Sequence, residues 1–190
     1  MKVIFLDNDG VICLYDNWGG RGKKWSKYRS ENPESSPNLK DAPAEIRFDD
    51  FDKKAIKILN EIIKETGAEI IVSSDWKLHA TLEELGDYYE AQGIIKRPIA
   101  ITPNMHEFDP GANDLFVWKR WMERKRIVEI ERYLKETPEI TNWVAIDDLN
   151  MSPQANGGHG LENFVLTPRS REGIKQSGTK EKIIDFLTKN

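Results

Sequence analysis

Residues 3–6, Val-Ile-Phe-Leu, form an uninterrupted apolar run that ends abruptly in Asp7-Asn8-Asp9-Gly10. A strand apolar on both faces has to be covered on both faces, which is the condition of an interior strand in a parallel sheet. Side chains two apart at the end of a strand point to the same side. Asp7 and Asp9 are therefore predicted to face one point at the carboxyl edge of the sheet, with Gly10 free to turn the chain. Two carboxylates held that close repel, and the arrangement asks for a cation or a shared proton. A hard, oxygen-seeking ion such as Mg2+ suits it. A calcium loop is excluded, because counting back from Gly10 puts Phe5 at its first position and Asp16 at its twelfth, where an acid and a Glu are required. Taken alone, the motif also reads as a plain turn closing a strand, so the rest of the chain has to decide.

Four further short apolar runs read as strands, at residues 69–73, 99–102, 143–146 and 164–166. Helical periodicity lies between them. Ala55, Ile58, Leu59, Ile62 and Ile63 mark one face of a helix over about 52–65, stopped by Gly67. Ile127, Ile130, Tyr133 and Leu134 do the same over about 119–135, and Ile183, Ile184 and Leu187 mark a terminal helix. Strands alternating with helices predict an α/β fold with a parallel sheet and helices on both faces. Right-handed crossovers and a central first strand give the order 3-2-1-4-5. A polar stretch rich in Gly, Pro, Ser and Asn at about 15–47 and a second irregular stretch at about 103–118 interrupt the alternation. Both follow strands, so both belong over the carboxyl edge, where open α/β sheets bind ligands.

The chain has 190 residues, 38% apolar and 32% charged, which suits one soluble domain with a real core. A net charge of −4 gives no general attraction to nucleic acid, though a local basic patch is compatible with it. A single cysteine, Cys13, excludes an internal disulfide and a Cys-based zinc site. No apolar run is long enough for a membrane span, and residues 3–6 are too short for a signal peptide, which together predict a cytoplasmic protein.

The second strand ends in Ser73-Ser74-Asp75-Trp76 and the fourth in Asp147-Asp148. With Asp7 and Asp9, three strands bring chemically useful side chains to one edge. On these residues the chain resembles the haloacid dehalogenase-like (HAD) superfamily. Asp7-Asn8-Asp9-Gly10-Val11 matches its first motif, Ser73 its second and Asp147-Asp148 its fourth. The third motif is a Lys or Arg before the fourth strand. Lys125, 22 residues before Asp147, fits it, and Arg126 fits it equally. The resemblance implies a Rossmann-like core with small cap insertions, spanning residues 1–190 as one domain, and a phosphatase chemistry. In that chemistry Asp7 is the nucleophile and Asp9 the acid and base. Mg2+ is held by Asp7, the main-chain carbonyl of Asp9 and Asp148, with Asp147 orienting the lysine or supporting the metal. Ser73 hydrogen-bonds the phosphoryl group beside Gly10, and Lys125 offsets its charge. Ser74 and Arg126 are the alternatives at the second and third motifs. As ordinary structure, Ser73 caps a helix and Lys125 is one solvated charge of 119–126.

Insertions of about 30 and about 20 residues are too short for a globular cap and leave the cleft open to a bulky or polymeric ester. The first carries Trp18, Arg21, Lys23, Lys24 and Trp25 among glycines, a pattern able to grip a phosphate backbone and stack a base, or simply a solvated loop whose tryptophans pack down. Trp118 and Trp121, with Arg120 and Arg124, offer a second wall or one helix's core and solvated faces. The Ser-Ser-Asp-Trp and Asp-Asp segments look like the phosphatase domains associated with RNA repair proteins. The expected substrate is thus a nucleotide or nucleic-acid terminal phosphate. A sugar phosphate or other small metabolite is the alternative, and a catalytically silent phosphate-binding module the rival of another class.

Overall fold

The computed structural model describes residues 1–105 and 115–189. Five strands, β1 (Lys2–Leu6), β2 (Glu69–Val72), β3 (Ala100–Ile101), β4 (Asn142–Asp147) and β5 (Phe164–Leu166), form one parallel sheet. Their order is β3-β2-β1-β4-β5, as the crossover rule requires. The helices are α1 (Gly20–Glu31), α2 (Ala44–Arg47), α3 (Lys53–Thr66), α4 (Leu82–Ala91), α5 (Leu115–Glu136) and α6 (Thr179–Thr188). Among the described residues, no helix is long and apolar enough to cross a membrane.

Alternation along β1 divides the core. Ile4 and Leu6 pack with Leu59, Ile62 and Ile183 on one face, while Val3 and Phe5 pack with Ile127 and Ile130 of α5 on the other. Both faces of β1 are thereby covered, and Val3, Ile4, Phe5 and Leu6 are fully buried. Helix α3 begins where the Asp52 carboxylate accepts the amides of Lys54 and Ala55, and ends at Gly67 in the left-handed region (φ 73°).

Three helices, α1, α2 and α4, go beyond the sequence reading. Within 15–47, the expected small cap insertion, the chain forms α1, a turn at Leu39–Asp41 and α2. Helix α1 buries none of its residues, so it carries no apolar stripe to betray it. Helix α4 buries Leu85, Tyr88 and Tyr89 and starts with a full capping box between Thr81 and Glu84. Most of the second insertion at 103–118 falls on 106–114, outside the described residues. At its far end α5 begins at Leu115, four residues earlier than the periodicity predicts.

Candidate active site

The site follows from strand register. Leu6 is level with Val72 on one side and Ile146 on the other, so the next residues, Asp7, Ser73 and Asp147, stand side by side. The Asp7 amide donates to the Ile146 carbonyl (3.1 Å) and the Ser73 amide to the Leu6 carbonyl (2.9 Å). Alternation sends Asp7, like Val3 and Phe5, toward the α5 face. There Arg126 of α5 places Nη1 2.9 Å from Asp7 Oδ1 and 2.8 Å from Asp147 Oδ2, and Nη2 3.5 Å from Asp75 Oδ2. The other Asp147 oxygen accepts the Leu149 amide at 2.8 Å. One carboxylate oxygen each from Asp7, Asp147 and Asp148 lies within 4.8 Å of the others.

Gly10 makes this convergence possible. Its φ is +72°, and a Cβ there would lie 2.6 Å from Asp148 Oδ2. The loop it belongs to is closed tightly. The Asn8 carbonyl accepts the amides of Val11, Ile12 and Cys13, and its side-chain oxygen accepts the Tyr89 hydroxyl at 2.5 Å. Asp9 leaves the strand direction, and its carboxylate turns to Trp76, whose Nε1–H donates to Oδ2 at 2.8 Å. Trp76 is itself stacked on Phe48, with centroids 4.3 Å apart and planes 9° apart. Asp9 is thus an acid anchored on a rigid indole, beside the three-acid cluster.

Burial and mutual repulsion set the charge states. Burial, then the charges of Asp147, Asp148 and Asp9, hold Asp7 well above the usual carboxylate range, against the pull of Arg126. Asp148 is pushed up to about 7 by burial and by Asp147. Burial also raises Asp9, and Trp76 partly offsets this. Burial opposes the charge on Arg126, yet the carboxylates of Asp147 and Asp7 outweigh it and keep the guanidinium protonated.

A second buried group continues this network. Lys77, just past Trp76, pairs with Glu129 of α5 at 2.6 Å, with both side chains almost wholly buried. Lys77 also donates to Thr102 Oγ1 (2.7 Å) and to the Pro103 carbonyl (3.3 Å), and Glu129 accepts the Met105 amide (3.1 Å). Lys125 lies between Asp75 (3.7 Å) and Glu129 (3.8 Å), over the Trp121 ring. The chain of contacts alternates in sign: Lys77, Glu129, Lys125, Asp75, Arg126, then Asp7 and Asp147. With Asp148 and Asp9, carboxylates outnumber cations here, an excess of negative charge that a bound cation would reduce. The all-oxygen donor set suits a hard ion such as Mg2+.

Sequence-predicted residues therefore divide. Asp7, Asp147, Asp148, Ser73 and Arg126 come together, and Gly10 abuts Asp148. Of the two third-motif residues it is Arg126 that touches Asp7, whereas Lys125 is one contact removed. Of the two serines, Ser74 caps the turn at Asp75–Leu78, while the buried Ser73 hydroxyl has no hydrogen-bond partner among the described residues. Arg21 lines a cavity next to Asp9; Lys24 pairs with Asp50 at 2.8 Å, and Lys23 is exposed on the same helix. The expectation that the glycine-rich loop grips a phosphate meets a competitor, because Asp49 already accepts the amides of Gly19 (3.1 Å) and Arg21 (2.6 Å). Trp25 stacks on Tyr28 along α1, and Trp118 is exposed. The sequence reading missed Lys77, Glu129, Asp49 and Tyr89. The capping box before Leu82 was a signal for α4 and its tyrosines, but nothing marks a lysine or glutamate as buried.

No curated protein and no solved structure gives a match of significance. Residues 3–177, which hold every side chain of this site, match the family described as the HAD domain in Swiss Army Knife RNA repair proteins. Strand order, the acid pair after β1, the serine after β2 and the acid pair at the end of β4 all lie within that match. The chain belongs to this family of HAD domains.

Proposed function

We propose that the protein is a Mg2+-dependent phosphomonoesterase that works through an aspartyl-phosphate on Asp7, with a nucleotide or nucleic-acid terminal phosphate as substrate. The observation that carries this reading is the setting of Asp7. It stands at the carboxyl edge of the central strand, bonded to Arg126 and within one cluster with Asp147 and Asp148. Membership of the HAD domains supports phosphatase-type chemistry, and the RNA-repair description of the family supports a nucleic-acid end as the ester.

Asp7, Asp148 and the Asp9 carbonyl would hold the ion, with Asp147 in support. An ion bound there would supply positive charge that offsets the repulsion between carboxylate and phosphate. One Asp7 oxygen attacks phosphorus as the bond to the leaving oxygen breaks, and Asp9 gives its proton to that oxygen. Asp9 then takes a proton from water as the water attacks phosphorus, and the bond to Asp7 breaks. The raised proton affinity of Asp9 suits the first of these steps. The Ser73 hydroxyl donates to a phosphoryl oxygen, and Arg126 keeps the Asp7 carboxylate oriented while Lys125 adds charge at the rim.

The test is turnover of a panel of phosphate esters with Mg2+, including sugar phosphates and 3′- or 5′-phosphorylated oligonucleotides, by wild type and Asp7→Asn. Wild type turns over with Mg2+ and stops with EDTA, and Asp7→Asn is inactive with its fold intact. Preference for sugar phosphates would favour the metabolite reading, and binding without turnover the silent module. Full activity of Asp7→Asn would refute covalent catalysis at that residue.

A further inference from the structure

Beyond the Asp9 carboxylate lies a cavity of about 370 Å³, lined by Asp9, Trp18, Gly19, Arg21, Asp49 and Trp76. If Asp9 protonates the leaving oxygen, the rest of the leaving group has to occupy this space. Its two aromatic walls differ. Trp76 is committed: its N–H holds Asp9 and its ring is covered by Phe48. Trp18 is pinned at one edge, where Nε1–H donates to the Cys13 carbonyl at 3.1 Å, yet 41% of the residue stays exposed. Tyr15 leans on the ring, with centroids 5.3 Å apart and planes tilted by 59°. A ring held by its polar edge and propped on one side is a stacking platform that loses little freedom when a second ring lies on its exposed part.

The charges of the cavity restrict the rest. The loop amides of Gly19 and Arg21 are taken by Asp49, and Lys24 is turned to Asp50. Among the described residues, Arg21 is thus the one cation lining the cavity, against the carboxylates of Asp9 and Asp49. A metabolite carrying several further phosphates would meet more negative than positive charge. A neutral ring system with one phosphodiester beside it matches what is present.

We infer that this cavity is the leaving-group subsite and that it takes the terminal nucleoside of an oligonucleotide, base against Trp18 and first internucleotide phosphate at Arg21. The inference rests on the phosphomonoesterase reading for the role of Asp9, and its test can be separated from that reading. It separates Arg21 from Lys23 and Lys24, which the sequence groups as one basic patch.

The experiment measures binding to Asp7→Asn protein with Mg2+, so that no turnover is needed. The probes are ribose 5-phosphate, an adenosine monophosphate and the corresponding end-phosphorylated dinucleotide, with the phosphate tried at either end. Adding Trp18→Ala weakens both nucleotide probes by about 5- to 150-fold relative to ribose 5-phosphate, the range for one stacked base, to the same extent at low and high salt. Trp18→Phe keeps most of the preference and controls for folding. Arg21→Gln narrows the advantage of the dinucleotide over the mononucleotide, and does so mainly at low salt. Equal weakening of all three probes by Trp18→Ala, or a dinucleotide advantage untouched by Arg21→Gln, overturns the subsite. Hydrolysis of generic esters without this discrimination refutes the subsite and leaves the chemistry standing. Discrimination without hydrolysis by the wild type refutes the chemistry and the leaving-group role, and leaves only a nucleoside-binding cavity.

Discussion

Arg126 Nη1 sits 2.9 Å from Asp7 Oδ1 and is the guanidinium contact that fixes the proposed nucleophile. Lys125, its neighbour in sequence, reaches Asp75 and Glu129 instead. Arg126→Met is expected to lower kcat/KM on a small phosphate ester by about 100- to 1,000-fold, the usual effect of removing one preorganised donor. Lys125→Met costs less, and Arg126→Lys restores part of the loss. Steady-state kinetics on the three variants decide the matter; equal losses at 125 and 126 would overturn the assignment.

Gly10 is tested by adding one carbon. In Gly10→Ala the new methyl meets the Asp148 carboxylate at 2.6 Å, at a φ of +72° that disfavours any side chain. Asp148 has to move from the cluster it forms with Asp7 and Asp147. The expected result is a Mg2+ half-saturation concentration raised by about 10-fold or more, while the strain costs on the order of 1–3 kcal/mol of stability. A Mg2+ titration of activity beside a thermal melt separates the two effects.

The acid cluster gives the pH dependence a definite sign. Asp148 moves from an ordinary 3.8 to about 7 in the folded protein, and Asp7, Asp9 and Asp147 also shift upward. The folded state therefore holds protons that the unfolded chain releases. The cluster's contribution to the stability of the metal-free protein is therefore greatest in acid, and the part due to Asp148 is lost as pH rises from about 4 to about 7. A cation needs the deprotonated carboxylates. Mg2+ is thus expected to raise Tm more at pH 8 than at pH 5, and to release protons when it binds near pH 6. Calorimetry in buffers of different ionisation enthalpy measures that release, and a Mg2+ shift independent of pH would contradict it.

The Lys77–Glu129 pair is a stability test apart from the chemistry. Lys77→Met leaves Glu129 buried without its 2.6 Å partner and is expected to cost about 3–5 kcal/mol in urea unfolding. Lys77→Met with Glu129→Leu costs less than the sum of the two single changes, because no charge is stranded. Additive losses would mean that the contact is not coupled.

What the sequence discloses depends on whether a residue's environment repeats along the chain. Residues 3–6 and the face of α3 are legible because burial recurs every two or every 3.6 residues. Helix α1 buries none of its residues and escapes that reading. Asp7, Asp147 and Ser73 can be placed because strand ends in a parallel sheet stop level. Lys125 and Arg126 cannot be told apart in that way. They are 100° apart on one helix, and the phase of α5 is set by Ile127 and Ile130 packing under β1, which depends on the whole fold. Lys77 and Glu129 are illegible for a different reason. Each is tolerated inside chiefly by its pairing with the other, and a pair 52 residues apart leaves no local trace.

Helix α1 has no residue in the core, whereas β1 is bonded to a neighbour along both edges. Amide hydrogens on these two segments should exchange on very different schedules, α1 by local opening and β1 only when the molecule unfolds as a whole. Trp18 and Arg21 are tied to the first kind of structure and Asp7 to the second. Under mild denaturant the protein would thus become less choosy before it becomes inactive, with fidelity and reactivity failing at different points of the same titration.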